Sequence, residues 1–284
     1  MRFCLYQPKN KYLSKADEVS ITLPSIKRMD LQKLIDTLLK FKDKKINLSI
    51  VDSKDFVEND GMPLIEAIKV KYPELNLSLM LVRYDHDEFN DALLNYVKLS
   101  NLPFFYTTYI SDWETLHFYK NLNVSEMYIC GELGFELDKV SEVLHDAGIK
   151  IRVIPNAAQC KEVLGNNLTA FYIRPEDMEK YAEYVDVFEF YCTTSQEEET
   201  LYKIYAITKE WPGKLSSLIL WLEGELEGKF ITPIFGSRRT KCAHKCLKGN
   251  SCSICETTEQ LCITMHKAHA EQLPLRLFFI KIII

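Results

Sequence analysis

Four cysteines crowd into one basic stretch, RRTKCAHKCLKGNSCSIC, from Arg238 to Cys255. Cys242, Cys246, Cys252 and Cys255 follow the spacing C-x3-C-x5-C-x2-C, and the turn between the two pairs holds Gly249 and Asn250. Close pairs on either side of a tight turn can bring four sulfurs to one centre, as tetrahedral thiolate coordination of zinc requires. Four thiolates around one divalent ion leave a net charge of about −2. Arg238, Arg239, Lys241, Lys245 and Lys248 would offset that charge, and their field lowers the thiol pKa toward the metal-binding thiolate. Zinc is the first choice of metal. An iron–sulfur cluster takes the same four-cysteine ligation and spacing does not separate the two, while free or disulfide-linked thiols form a third reading. Downstream, Cys262, His266 and His269 form C-x3-H-x2-H, which could lend a replacement ligand but lacks a fourth ligand of its own. The basic loop could also contact nucleic-acid backbone. No aromatic residue stands between Lys241 and Cys262, so stacking on bases is not expected there.

A second set of candidates comes from polar residues that follow apolar, strand-like runs. In order these are Lys27, Arg28, Asp52, Arg83, Asp85, Tyr109, Asp112, Glu132, Asn156, Gln159, Arg174 and Glu176, with Glu189 inside the last run. Glu132, Asn156, Arg174 and Glu189 are the candidate catalytic group. Two carboxylates around a guanidinium can hold an anionic substrate while one of them moves a proton. The competing reading of the same residues is a salt-bridge layer that closes a barrel mouth. Asp85-His86-Asp87 suits a metal or acid–base site, although a solvated turn accounts for it more simply. The chain contains no nucleophile elbow, phosphate loop or HExxH motif, so an enzymatic reading leans on fold.

Positioning such residues requires a rigid frame, and the pattern up to Trp211 supplies one. Short β-branched or aromatic runs alternate with amphipathic helical stretches, as βα units around a parallel sheet do. The runs are Val19 to Leu23, Ile46 to Val51, Leu75 to Val82, Pro103 to Tyr109, Glu126 to Cys130, Lys150 to Ile154, Ala170 to Ile173 and Val185 to Tyr191. Leu31, Leu34, Ile35, Leu38 and Leu39 lie at helical spacing behind a capping Asp30. Val140, Val143, Leu144 and Ala147 make another stripe, with Gly148 where a left-handed cap is wanted. Pro175 opens a helix that turns Met178, Tyr181 and Val185 inward. Eight strands with helices between or after them are the count of a (β/α)8 TIM-type barrel, an α/β fold, expected over residues 1–211. An open doubly wound sheet is the runner-up. Its first turn should be glycine-rich around a nucleotide, and TLPSIKR is not. Residues 212–284 form a small C-terminal cysteine-rich extension ending in a β-prone tail, HAEQLPLRLFFIKIII.

The 284 residues are 47% apolar, enough for a sizeable core, and a net charge of −5 with a pI near 5.8 argues against a polybasic coat for nucleic acid or membrane. No long apolar leader or membrane-length run is seen, and the odd count of nine cysteines suits a reducing, cytoplasmic location. The isolated Cys4, Cys130, Cys160 and Cys192 read as small buried apolar residues.

The stretch GELGFELDKVSEVLHDAGIKIRVIPNAAQC, Gly131 to Cys160, resembles the central segment of the U32 peptidase-like family. There a strand ends in Glu-Leu, a helix follows, and the next strand runs into a short turn bearing cysteine. The resemblance implies a barrel, a possible cysteine-bound iron–sulfur cluster, and chemistry tied to proteolysis or to hydroxylation of RNA and quinones. Glu132 and Cys160 are the matching positions. After Cys160 the chain reads KEVLGNNLTAF, without that family's second cysteine and glycine-rich continuation, so the C-terminal cysteines would have to supply most of any cluster. The expected function is a barrel metalloenzyme of this type acting on a small-molecule, peptide or RNA substrate. The alternative is a non-catalytic scaffold whose basic zinc knot contacts nucleic acid or protein. No membrane partner is expected.

Overall fold

The computed structural model describes residues 2–8, 16–82, 84–155, 173, 175–191 and 201–209. Eight strands, β1 (Arg2–Tyr6), β2 (Glu18–Thr22), β3 (Lys45–Ile50), β4 (Asn76–Leu81), β5 (Phe104–Ile110), β6 (Glu126–Ile129), β7 (Lys150–Val153) and β8 (Val187–Tyr191), pair in sequence order. Every pairing is parallel, and β1 meets β8 from Arg2 opposite Val187 to Tyr6 opposite Tyr191, which closes the sheet into a barrel. Around it run α1 (Leu31–Leu39), α2 (Ser53–Glu58), α3 (Gly61–Lys71), α4 (Glu88–Ser100), α5 (Trp113–Asn121), α6 (Leu137–His145) and α7 (Met178–Tyr181). The expected parallel eight-stranded TIM-type barrel with surrounding helices is therefore present, with a first strand that the sequence pattern does not include.

The first strand of the barrel is RFCLY, which the alternation of apolar runs passes over. β7 and β8 hydrogen-bond directly, with Arg152 opposite Val187 and Val153 opposite Phe188, and of the expected strand Ala170 to Ile173 only Ile173 is among the described residues, outside the eight strands. Ile173 instead donates its amide to Pro155 O at 3.0 Å. Residues 210–284, and with them the extension, its cysteines and its tail, lie outside the described residues.

Local signals fix the helix ends. Asp30, Asp52, Asp87 and Asp112 each accept a backbone amide at the start of a helix, from Lys33, Asp55, Asn90 and Thr115 respectively, at 2.8 to 3.0 Å. Two residues expected to line the strand ends, Asp52 and Asp112, thus serve as caps. The Asp85-His86-Asp87 stretch is the turn that starts α4, and the Asn90 amide, followed by its side chain, holds the Asp87 carboxyl below the usual range. Gly148 ends α6 at φ 72°, in the left-handed region, and lets the Ile149 amide return to Leu144 O at 2.9 Å. In α1 the buried stripe is Leu34, Ile35 and Leu38, while Leu31 at its start is 44% exposed. Met178, Tyr181 and Val185 are buried, as the helical spacing indicates.

The sheet separates two packed regions. Leu5, Val19, Leu48, Leu79, Ile151 and Phe188 belong to a continuous apolar core shared with the helices. Inside the barrel Met80, Phe105, Tyr128 and Ile154 form a separate small cluster, with Tyr6 against it.

Candidate functional site

Strand residues alternate between the two faces of a sheet, so each outward apolar residue fixes the direction of its neighbours. Ile151 and Val153 pack outside, which turns Arg152 into the lumen. By the same alternation Cys4, Glu18, Ser20, Lys45, Asn47, Ser78, Glu126, Tyr128 and Glu189 face inward. Arg2, Glu18, Lys45 and Glu126 are the first residues of β1, β2, β3 and β6, so their charges gather in the N-terminal half of the lumen.

Arg152 is the hub, with no exposure to solvent. Its guanidinium donates to Glu18 Oε2 at 2.5 Å, to Glu126 Oε2 at 2.5 and 3.0 Å, and to Glu189 Oε2 at 2.6 Å. The plane also lies over aromatic rings, 4.9 Å from the Phe105 centroid and 5.7 Å from that of Tyr128. Lys45 bonds Glu126 and approaches Glu18 Oε2 at 3.6 Å, and Arg2 reaches Glu18 Oε1 at 3.1 Å. Three carboxylates, Glu18, Glu126 and Glu189, are thereby matched by three cations, Arg2, Lys45 and Arg152. A buried charge without such partners would be strongly destabilising.

Burial alone would push the Glu126 carboxyl up, but Arg152 and Lys45 outweigh it by charge and hydrogen bonding and hold it at about 2. Burial works against the charged form of Arg152 as well, and Glu126 foremost overcomes it, so the guanidinium stays firmly protonated. Beside this cluster the neutral side of the lumen is tied together by Asn47. Its amide donates to Glu18 Oε2 and to Ser20 Oγ, both at 3.3 Å, and it accepts from Ser78 Oγ at 2.5 Å. Burial, then the Glu189 charge, raise the Cys4 thiol well above its usual value, so it is a poor nucleophile in this setting.

Toward the C-terminal end the lumen changes character. Tyr128 donates to Glu189 Oε2 at 2.8 Å, and its ring joins Met80, Phe105 and Ile154 in the apolar layer above the charges. Glu189 Oε1 is buried without a hydrogen-bond partner among the described residues. At the mouth, the Tyr6 hydroxyl and Thr22 share a bond of 2.8 Å, Gln7 donates to Thr22 at 2.6 Å, and the partly exposed Tyr109 meets the edge of Tyr128 at 5.7 Å between centroids. A 3-10 turn, Gly131–Glu136, follows β6 at this end, and Trp113 Nε1 donates to Glu136 Oε2 at 3.2 Å.

Of the four candidate catalytic residues, Glu189 lies within β8, as expected, with its side chain in the lumen bonded to Arg152 and Tyr128. Glu132 belongs to the 3-10 turn after β6; its side chain, together with Asn156, Arg174 and the metal-ligand candidates Cys242, Cys246, Cys252 and Cys255, lies outside the described residues. Two carboxylates around a guanidinium were expected from Glu132, Glu189 and Arg174. The described residues place three around Arg152, from strands that the sequence separates by 134, 26 and 37 positions. The available signal is a charge on the inward alternating phase of β2, β6, β7 and β8, at Glu18, Glu126, Arg152 and Glu189. Among the described residues no cluster of three or more His, Cys, Asp or Glu is arranged to hold a metal ion. No helix among them is long and apolar enough to cross a membrane.

The closed pairing of eight parallel strands defines the class, a TIM-type barrel. No family model and no curated protein matches the chain. Among solved structures it is similar to tryptophan synthase from M. tuberculosis, in an open form with BRD0059 bound, at 12% identity and a TM-score of 0.43, over 71% of this chain and 86% of that one. The fold assignment rests on this chain's own strand register.

Proposed function

We propose that the chain is a barrel metalloenzyme of U32 peptidase-like type. Its chemistry would sit at the C-terminal mouth, with Glu132, Asn156 and Arg174 around the substrate and Glu189 held beneath them by Arg152 and Tyr128. Cys242, Cys246, Cys252 and Cys255 would hold the metal centre. Four thiolates are a full ligand set for one zinc ion, which would fix the extension, or for an iron–sulfur cluster, which would supply electron transfer.

The observation that supports this reading most is the course of the segment that carries the resemblance. β6 ends at Ile129, the turn Gly131–Glu136 begins at the C-terminal end of the barrel, and α6 leads back to β7. Active sites of such barrels form at that end, from the loops after the strands. The neutralised charges in the opposite half of the lumen suit a structural role, leaving the mouth for chemistry.

The test is metal content and absorption of the full chain purified without oxygen. A brown protein with acid-labile sulfide is expected for the cluster, and a colourless one with one zinc per chain for the structural ion. In either case Cys252→Ser should release the metal. A metal-free wild-type protein, or a Cys252→Ser variant with unchanged metal, contradicts the proposal.

A further inference from the structure

We propose that the N-terminal mouth of the barrel binds a small phosphate-bearing molecule, at a site separate from the C-terminal mouth. A cavity of about 540 Å³ opens there, within the range of small-molecule pockets. Its floor is the lower side of the charge network and its rim carries Lys42 and Lys150.

The order of charges from inside to outside is what favours an anion. Arg152 is fully buried and Glu18 and Glu126 are 1% exposed, whereas Lys45 is 13% and Arg2 34% exposed at the side chain. Glu18 and Glu126 line the cavity floor, but each is paired, with Arg152 from inside and with Lys45, and for Glu18 also Arg2, toward the opening. Lys150 starts β7 on the same inward phase as Arg152, and Lys42 stands across the opening. Both are exposed, and neither has an ion-pair partner among the described residues.

The two acids of the rim are occupied in part. Asp17 accepts the Phe3 amide at 2.8 Å, and Asp43 lies 3.9 Å from Lys44, whose ammonium also donates to Ala16 O at 2.6 Å. Lysine and arginine donors around a concave opening suit the several oxygens and double charge of a phosphate group. Asn76 and Ser125 in the wall offer polar groups for the rest of such a ligand.

Isothermal titration of the full chain with inorganic pyrophosphate, at fixed ionic strength, tests this. Saturable binding of one pyrophosphate per chain is expected. The K42E/K150E variant, which changes only exposed side chains, should weaken it by about tenfold or more. The K27E/R28E variant, altered at an exposed turn beyond the other end of the barrel, should bind as the wild type does. Absence of saturable binding, equal binding by K42E/K150E, or equal weakening in K27E/R28E would each overturn the proposal. None of these readouts depends on the metal centre or on activity.

Discussion

On the outer face of the barrel Leu48, Leu79 and Ile151 are buried against helices, while the next residues inward along the same strands, Asn47, Ser78 and Arg152, are buried equally but are polar or charged. The two faces respond differently to change because the forces differ. Apolar contact is non-directional and roughly proportional to area, so each outer side chain contributes on its own account. The inner charges hold only as a set, since each carboxylate is tolerable in the lumen only while its cation is present. Within the lumen a further division appears, between the charged N-terminal half and the aromatic layer of Phe105 and Tyr128 toward the C-terminal mouth.

The largest loss should follow from breaking the inner set at its hub. Arg152→Met leaves Glu18, Glu126 and Glu189 buried without their common partner, and urea unfolding should show a loss of about 5 kcal/mol, the upper range for breaking a buried ion pair. On the outer face Leu38→Ala, at a fully buried position of α1, should lower stability by about 3 kcal/mol in the same assay, with no effect on the charges. If the two variants reverse that order, the contrast between the faces is wrong.

Acid provides a subtler separation. The Glu126 carboxyl sits at about 2 in the folded chain against an ordinary value of 4.5. A depressed folded value stabilises the protein above the ordinary pKa, and the stabilisation drains as pH falls from about 4.5 toward about 2. Stability measured across that window should decline in the wild type and less steeply in Glu126→Gln, while Leu38→Ala should keep the wild-type slope. The smallest effect belongs to a cap outside both regions. Asp112→Ala removes the acceptor for the Thr115 amide and should lower stability by about 1 kcal/mol in urea unfolding at neutral pH.

These contrasts also explain what the sequence made legible. The βα alternation, the Asp30 cap, the Gly148 turn and the inward Met178 and Tyr181 could be read locally, because each depends on neighbours within one helical turn or one junction. β1 could not, since RFCLY spends Arg2 and Cys4 on the polar lumen and keeps only Phe3 and Leu5 as its apolar alternation. Of Ala170 to Ile173, which have the composition of a strand, only Ile173 is described, and its amide goes to Pro155 O while β7 and β8 pair with one another. Arg152 sits inside the apolar run IRVI, where its charge and inward phase are legible but its partners are not. Its partners come from three other strands, and only closure of the barrel brings them within hydrogen-bond reach. Asp52 and Asp112 show the opposite case, in which a polar residue after a strand is used by the next helix as its cap.

The central claim is that Arg152 and its carboxylates form one interdependent structural unit. A double-mutant cycle of Arg152→Met with Glu126→Gln, measured by equilibrium urea unfolding, tests it most directly. Removing one buried charge should relieve part of the damage done by removing its partner, so the double variant is expected to be more stable than Arg152→Met alone. If the two losses simply add, the carboxylate and the guanidinium are energetically independent and the account is contradicted.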